Sequence, residues 1–165
     1  MHYSDLTEII GKTTVIVAKA CSINHHEGKK GGWLCVSNST GQVQAVLMIG
    51  TVPDSEKSRR YFNYCQEKAA RLAEHRNHVS SWQSRDPDKD RWGGAIRCKE
   101  HILSYSGLSS DLWDEAIVLT IGYIYPYRII LHADLEHICK ISSNNHTHRL
   151  IAACSDESLK LKRAR

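Results

Sequence analysis

Features that would mark a membrane segment, a secreted protein or a metal site are missing from this sequence. The six cysteines include no C-x-x-C pair, no apolar run reaches membrane length, and the first residues lack a basic-then-apolar signal pattern. Isolated cysteines in a chain without a signal are typical of reduced, buried thiols. The sequence therefore predicts a cytoplasmic protein without a membrane segment.

Proline and excess charge are also scarce. Three prolines and a hydrophobic fraction of 41% favour a folded chain, and 165 residues fit one domain. Much of the formal net charge of +4 comes from four basic residues near the end, Lys160, Lys162, Arg163 and Arg165. We therefore predict a nearly neutral folded domain at residues 1–143, a polar to basic tail at 144–165, and no nucleic-acid partner.

No complete catalytic or metal-binding set is present in the sequence. Ten histidines occur, but clusters such as His25-His26 and His146-x-His148 match no metal-binding spacing. Ser106 lies in S-Y-S-G-L, which differs from the G-x-S-x-G of esterases. We assign no metal ligand and no catalytic residue, and whether the protein is an enzyme stays open.

Hydrophobic periodicity and turn residues predict alternating helices and hairpins. The predicted order begins with a helix (Ser4–Cys21), a hairpin (Trp33–Gly50) and a long helix (Glu56–His75). A polar loop (His75–Arg91), a second hairpin (Ala95–Lys99 with Ile102–Ser106) and a helix (Ser110–Tyr123) come next. An optional strand within Ile124–Leu131 and a short helix at Ala133–Ile141 follow. Hairpins joined through helices favour an α+β fold, with one antiparallel sheet covered by helices.

One charged residue interrupts the apolar face of the long helix. Lys68 stands three residues after Cys65 and four before Leu72, near the centre of the stripe. Burying an ammonium is costly without a partner. Either the side chain snorkels to the edge of the core, or it lines a pocket and holds an anion or a carboxylate.

Glycines bracket the second hairpin at the point where its strands begin and end. Gly93-Gly94 precedes the first strand and Ser106-Gly107 ends the second, so an antiparallel hairpin brings them to one end of the sheet. Carboxylates at the start of the next helix suit its macrodipole. If the long helix crosses the sheet, Lys68 reaches the same end. The predicted ligand site comprises Lys68, Gly93, Gly94, Ser106 and Gly107.

The long polar loop carries a tryptophan close to an arginine. Such a pair suits a flat or anionic ligand, and it equally suits a contact between subunits. Trp82 and Arg85 are therefore added to the candidate site, at its mouth or at a subunit boundary.

These motifs together resemble the GlcG/HbpS-like family, which includes the carboxy-terminal domain of PduO and haem-binding or haem-degrading members. The resemblance spans about Asp5–Gly122 and rests on S-T-G in the first hairpin, Lys68-Ala69, Gly93-Gly94 and S-G-L-S-S-D-L-W-D-E-A. It implies a profilin-like fold, closed homo-oligomers, haem as a candidate ligand, and Asp114, which follows the S-G pair, as a further ligand-binding residue. Ala95 stands where a proline is common, and no histidine falls within a family motif, so no haem ligand is assigned.

Two functions follow as hypotheses. The first is a homo-oligomeric module that binds haem or another small anionic ligand near Lys68. The second is an oligomeric scaffold that binds a protein partner without catalysis. Apolar residues on opposite faces of the predicted helix Ser110–Tyr123, such as Trp113 and Leu119, need either the carboxy-terminal segment or another subunit to cover them. Together with the resemblance, this predicts a homo-oligomer.

Overall fold

A four-stranded antiparallel sheet forms the centre of the protein. A computed structural model describes residues 3–24, 30–124 and 129–163. The strands are β1 (Lys30–Asn38), β2 (Val43–Thr51), β3 (Ala95–Cys98) and β4 (His101–Ser106), in the spatial order β2-β1-β4-β3. Each of the three neighbouring pairs is antiparallel. The predicted α+β fold class is therefore confirmed.

The described residues form five helices, α1 (Tyr3–Ile23), α2 (Ser55–Glu74), α3 (Asp111–Ile124), α4 (His132–Ser142) and α5 (His146–Arg163), of which α1, α2 and α3 pack against the strands. Asp54 caps α2, because its side chain accepts a hydrogen bond from the Lys57 backbone N–H at 2.9 Å. The loop after α2 contains two short 3-10 turns, Ser81–Ser84 and Pro87–Lys89.

The helices lie on both faces of the sheet. Cys35 and Ile102 pack against α2 in one apolar cluster. The alternate strand residues, among them Leu34 and Leu103, belong to a larger cluster with α1 and α3. This alternation follows from the two-residue period of a strand, and it sandwiches the sheet between helical layers.

Helix α3 is buried almost completely, including Trp113 and Leu119 on its opposite faces. Helix α5 supplies much of the cover, since Leu150 and Cys154 belong to the same core cluster as α3. The structure thus differs from the predicted tail at 144–165: Asn144 is buried and α5 begins at His146. The carboxy-terminal segment, rather than a second subunit, covers α3.

The segment predicted as an optional strand, Ile124–Leu131, contains no strand in its described part. Ile124 is the last residue of α3, residues 125–128 lie outside the described residues, and 129–131 precede α4 without pairing to the sheet. No helix in the described ranges is both long and apolar enough to cross a membrane.

Candidate functional site

Lys68 lies at the centre of a buried ion pair. Its Nζ donates to Asp114 Oδ2 at 2.9 Å and to the Tyr105 carbonyl oxygen at 3.0 Å, and the residue is 1% exposed. The other carboxylate oxygen of Asp114 accepts the backbone N–H groups of Gly107 at 3.2 Å and Leu108 at 3.0 Å. Lys68 therefore does not snorkel, and the carboxylate that it holds belongs to the protein.

The glycines before β3 are explained by close packing around this ion pair. Gly94 has a φ of +109°, and a Cβ placed there would lie 2.8 Å from Asp114 Cβ and 3.0 Å from Lys68 Nζ. A Cβ on Gly93 would lie 2.5 Å from the Trp82 ring. Both glycines therefore allow side chains of the protein to approach, and neither lines the cavity described below.

The loop after α2 folds back over this helix and is held there by Arg71. The guanidinium donates to the carbonyl oxygens of Ser81, Ser84 and Trp92, and it pairs with Glu67 at 2.6 Å. Arg71 is 5% exposed. Because its acceptors lie at both ends of the segment 81–92, one side chain fixes the course of the loop.

Arg85 projects from this loop toward the start of α3. Its Nε donates to Asp111 Oδ2 at 2.6 Å, and its guanidinium carbon lies 4.8 Å from the Trp82 ring centroid and 5.4 Å from that of Trp92. The same Asp111 oxygen accepts the Gly93 N–H at 3.1 Å. Cation–π contacts and a charge-assisted hydrogen bond thus hold the arginine in place.

Asp90 joins two aromatic side chains from different elements. Its carboxylate accepts the Tyr64 hydroxyl at 2.6 Å and the Trp92 indole N–H at 2.7 Å. These two hydrogen bonds hold the pKa of the Asp90 carboxyl below its ordinary value. We call Tyr64 and Trp92 the aromatic wall.

A cavity of about 430 Å³ opens between α2, the loop and the start of α3. Its described lining residues are Arg60, Tyr61, Tyr64, Lys68, Arg85, Trp92, Ser106, Leu108, Ser109, Ser110, Asp111 and Asp114. Of the predicted site residues, Lys68, Arg85, Ser106 and Asp114 thus meet in one cavity. Gly107 lines a neighbouring cavity of about 220 Å³, and Trp82 packs behind Arg85. Whether these residues bind a ligand stays a prediction.

Sequence reasoning missed eight lining residues: Arg60, Tyr61, Tyr64, Trp92, Leu108, Ser109, Ser110 and Asp111. Helical spacing gave a partial signal, because Tyr61 and Tyr64 precede Lys68 by seven and four residues on one face of α2. Burial, and next the negative charge of Asp114, raise the pKa of the Tyr61 phenol. Tyr61 is therefore a neutral hydroxyl donor.

Glu115, next to Asp114 in sequence, bonds to a different part of the protein. It is fully buried and accepts hydrogen bonds from the Ser80 hydroxyl and from Asn144 Nδ2 at 3.1 Å. Burial raises the pKa of its carboxyl above the ordinary value. Glu115 joins the start of the loop to the turn between α4 and α5, so both carboxylates have contacts beyond the helix-start electrostatics predicted for them.

Comparisons of this chain with protein-family models, with curated proteins and with solved structures found no match.

Proposed function

We propose that this protein is a binding module for a small anionic molecule, which occupies the 430 Å³ cavity beside the Lys68–Asp114 ion pair. The observation that carries the proposal is the charge of the lining. Three lining side chains are cationic and two are anionic, which leaves one positive charge in excess. A concave site with a few convergent polar groups is the usual form of a small-molecule site.

Arg60 is the cation best placed to meet a ligand. The two lining carboxylates already pair with other cations, Asp111 with Arg85 and Asp114 with Lys68. Arg60 makes no salt bridge within the described residues; it donates to the Tyr64 hydroxyl at 3.2 Å and lies 5.7 Å from that ring's centroid. Its charge is not neutralised by a lining carboxylate, so it attracts an anion into the cavity.

Haem, which the family resemblance implies, does not fit this lining. The described lining residues include no histidine, cysteine or methionine to ligate haem iron. Of the two tyrosines, Tyr64 donates to Asp90, and Tyr61 has a raised pKa that opposes formation of a phenolate. The proposed ligand is therefore a small organic or inorganic anion.

Isothermal titration with acetate, benzoate, phosphate and phenyl phosphate tests the proposal. We expect at least one of these anions to bind, and Arg60→Gln to weaken that binding roughly threefold to tenfold, since exposed charge contacts are modest. Arg59→Gln is the matched control, because Arg59 is an exposed neighbour on α2 that does not line the cavity. Absence of binding, or equal effects of the two variants, would contradict the proposal.

A second candidate function, the oligomeric scaffold, is supported by the edge strand β2. The opposite edge of the sheet is covered, because Ser80 pairs with Ile96 of β3. Strand β2 contains no charged residue and no proline, and Val43 and Met48 are 44% and 51% exposed. An uncharged exposed edge is a template for pairing with a second copy.

Light scattering measures this self-association directly. We expect a mass that is a multiple of 18.7 kDa at micromolar concentration. Met48→Lys is expected to shift it toward the monomer, because a charge on an edge strand opposes pairing. A wild-type mass of 18.7 kDa would refute the scaffold.

A further inference from the structure

We infer that the ligand of this cavity is a planar aromatic monocarboxylate of about the size of benzoate. Its carboxylate is held by Ser106 and the first residues of α3, and its ring lies against the aromatic wall. The inference rests on the proposed function and names the class of anion that the cavity selects.

Ser106 supplies a hydroxyl that has no hydrogen-bond partner among the described residues. The residue is 3% exposed and lines the cavity, yet its Oγ makes no hydrogen bond within the described ranges. The Oγ atom is not fully enclosed by protein but opens to the cavity, where it can donate to a ligand oxygen. A ligand oxygen at the base of the cavity provides the missing acceptor.

The amino-terminal end of α3 faces the same space. Ser109, Ser110 and Asp111 line the cavity, and the first donors within the helix are the N–H groups of Trp113 and Asp114, both to the Ser110 carbonyl oxygen. The preceding N–H groups carry the positive end of the helix dipole. Together with Ser106, they favour an anionic group at this end of the cavity.

The charge of the lining favours a monoanion. One positive charge is in excess once the two lining carboxylates are counted against Arg60, Lys68 and Arg85. A carboxylate neutralises that charge, whereas a phosphate monoester near its second pKa carries up to two negative charges. The dianion would leave a charge without a partner beside Asp111 and Asp114, which is unfavourable.

The aromatic wall indicates the rest of the ligand. Tyr64 and Trp92 belong to α2 and to the loop, and Asp90 fixes both before any ligand arrives. Rings that are already ordered lose little conformational entropy on binding. Arg60 and Arg85 lie over these rings, 5.7 Å and 5.4 Å from their centroids, and the parts of the rings that line the cavity suit another aromatic ring by offset or edge contacts.

Isothermal titration with four ligands tests the class of anion. We expect benzoate to bind about tenfold or more tightly than acetate, severalfold more tightly than cyclohexanecarboxylate, and more tightly than phenyl phosphate. Equal binding of benzoate and acetate, or tighter binding of phenyl phosphate, overturns the inference while anion binding itself stands. If none of the anions binds, the proposed function fails as well.

Variants of two serines on the same strand test the carboxylate contact. Ser106→Ala is expected to weaken benzoate binding about tenfold, because it removes a hydrogen bond to a charged group. Ser104→Ala is the matched control, since Ser104 is fully buried on the same face of β4 and does not line the cavity. Equal affinities of the two variants would place the carboxylate elsewhere and overturn the assignment of Ser106.

A variant of the aromatic wall tests where the ring lies. Tyr64→Leu is expected to reduce the preference for benzoate over cyclohexanecarboxylate to about twofold or less, because the ring contact is lost. Unchanged preference in a variant with the wild-type circular dichroism spectrum would show that the wall does not contact the ligand.

Discussion

Replacing Lys68 with methionine is expected to lower the free energy of unfolding by about 3–5 kcal/mol, and Asp114→Asn is expected to cost a similar amount. Each single change leaves the other charge buried without its counterion, since the two side chains are only 2% and 6% exposed. Lys68→Met leaves a carboxylate with two backbone N–H donors, and Asp114→Asn leaves an ammonium beside the Tyr105 carbonyl. Urea unfolding measures both effects.

The double variant Lys68→Met/Asp114→Asn separates the ion pair from the packing around it. With both charges removed, no buried charge is left without a counterion, so the desolvation cost of each single variant is absent. An asparagine oxygen still accepts the N–H groups of Gly107 and Leu108. We therefore expect the double variant to be more stable than either single variant by at least about 1 kcal/mol, the sign of strong coupling. Simple addition of the two losses would exclude coupling.

An exposed pair on α1 provides the matched control. Lys12 and Glu8 lie 2.8 Å apart, with side chains that are 35% and 43% exposed. Lys12→Met is expected to change the free energy of unfolding by less than about 1 kcal/mol, as is usual for surface ion pairs. Similar losses of unfolding free energy in Lys12→Met and Lys68→Met would show that burial of the ion pair does not determine how much its removal destabilises the protein.

Local patterns in the sequence were sufficient to predict most of the elements. Both hairpins and the helices at Ser55–Glu74 and Asp111–Ile124 were found because turn residues, caps and apolar periods act over a few residues. The same helical period singled out Lys68 as a charge in an apolar face. Helical periodicity could not pair Lys68 with Asp114, which lies 46 residues away along the chain; only the family resemblance placed Asp114 in the same candidate site.

The second buried cation of α2 was not predicted. Arg71 falls on the polar side of the helix, where the sequence pattern indicates solvent, and the structure buries it because the loop folds over that side. The loop contributes mainly backbone carbonyl oxygens to Arg71, and these carry no sequence signature. The aromatic wall was missed for a related reason: Tyr64 and Trp92 lie far apart in sequence, and both bond to Asp90, whose left-handed φ of 57° has no sequence signal.

Removing the Arg71 guanidinium is expected to release the loop rather than to unfold the protein. Arg71→Met leaves the carbonyl oxygens of Ser81, Ser84 and Trp92 without their donor and Glu67 without its counterion. Each buried acceptor left unpaired costs roughly 1–3 kcal/mol. A surface loop avoids that cost by opening, so the loss appears as a lower opening free energy.

Limited trypsin digestion of the native protein measures this opening, because segment 81–92 contains Arg85, Lys89 and Arg91. We expect cleavage in the loop to accelerate about 30-fold or more in Arg71→Met, which corresponds to about 2 kcal/mol of lost opening free energy. Arg71→Lys should fall between this variant and the wild type, since an ammonium keeps the charge but cannot donate in the planar fork of a guanidinium.

Arg76→Met is the control, because Arg76 is an exposed arginine just after α2. Trypsin should cleave segment 81–92 of Arg76→Met at the wild-type rate. Equal cleavage of Arg71→Met and wild type would mean that contacts such as Arg85 with Asp111 hold the loop closed without Arg71. Because Arg85 and Trp92 reach the cavity from this loop, a released loop should also weaken anion binding in Arg71→Met, although Arg71 does not line the cavity.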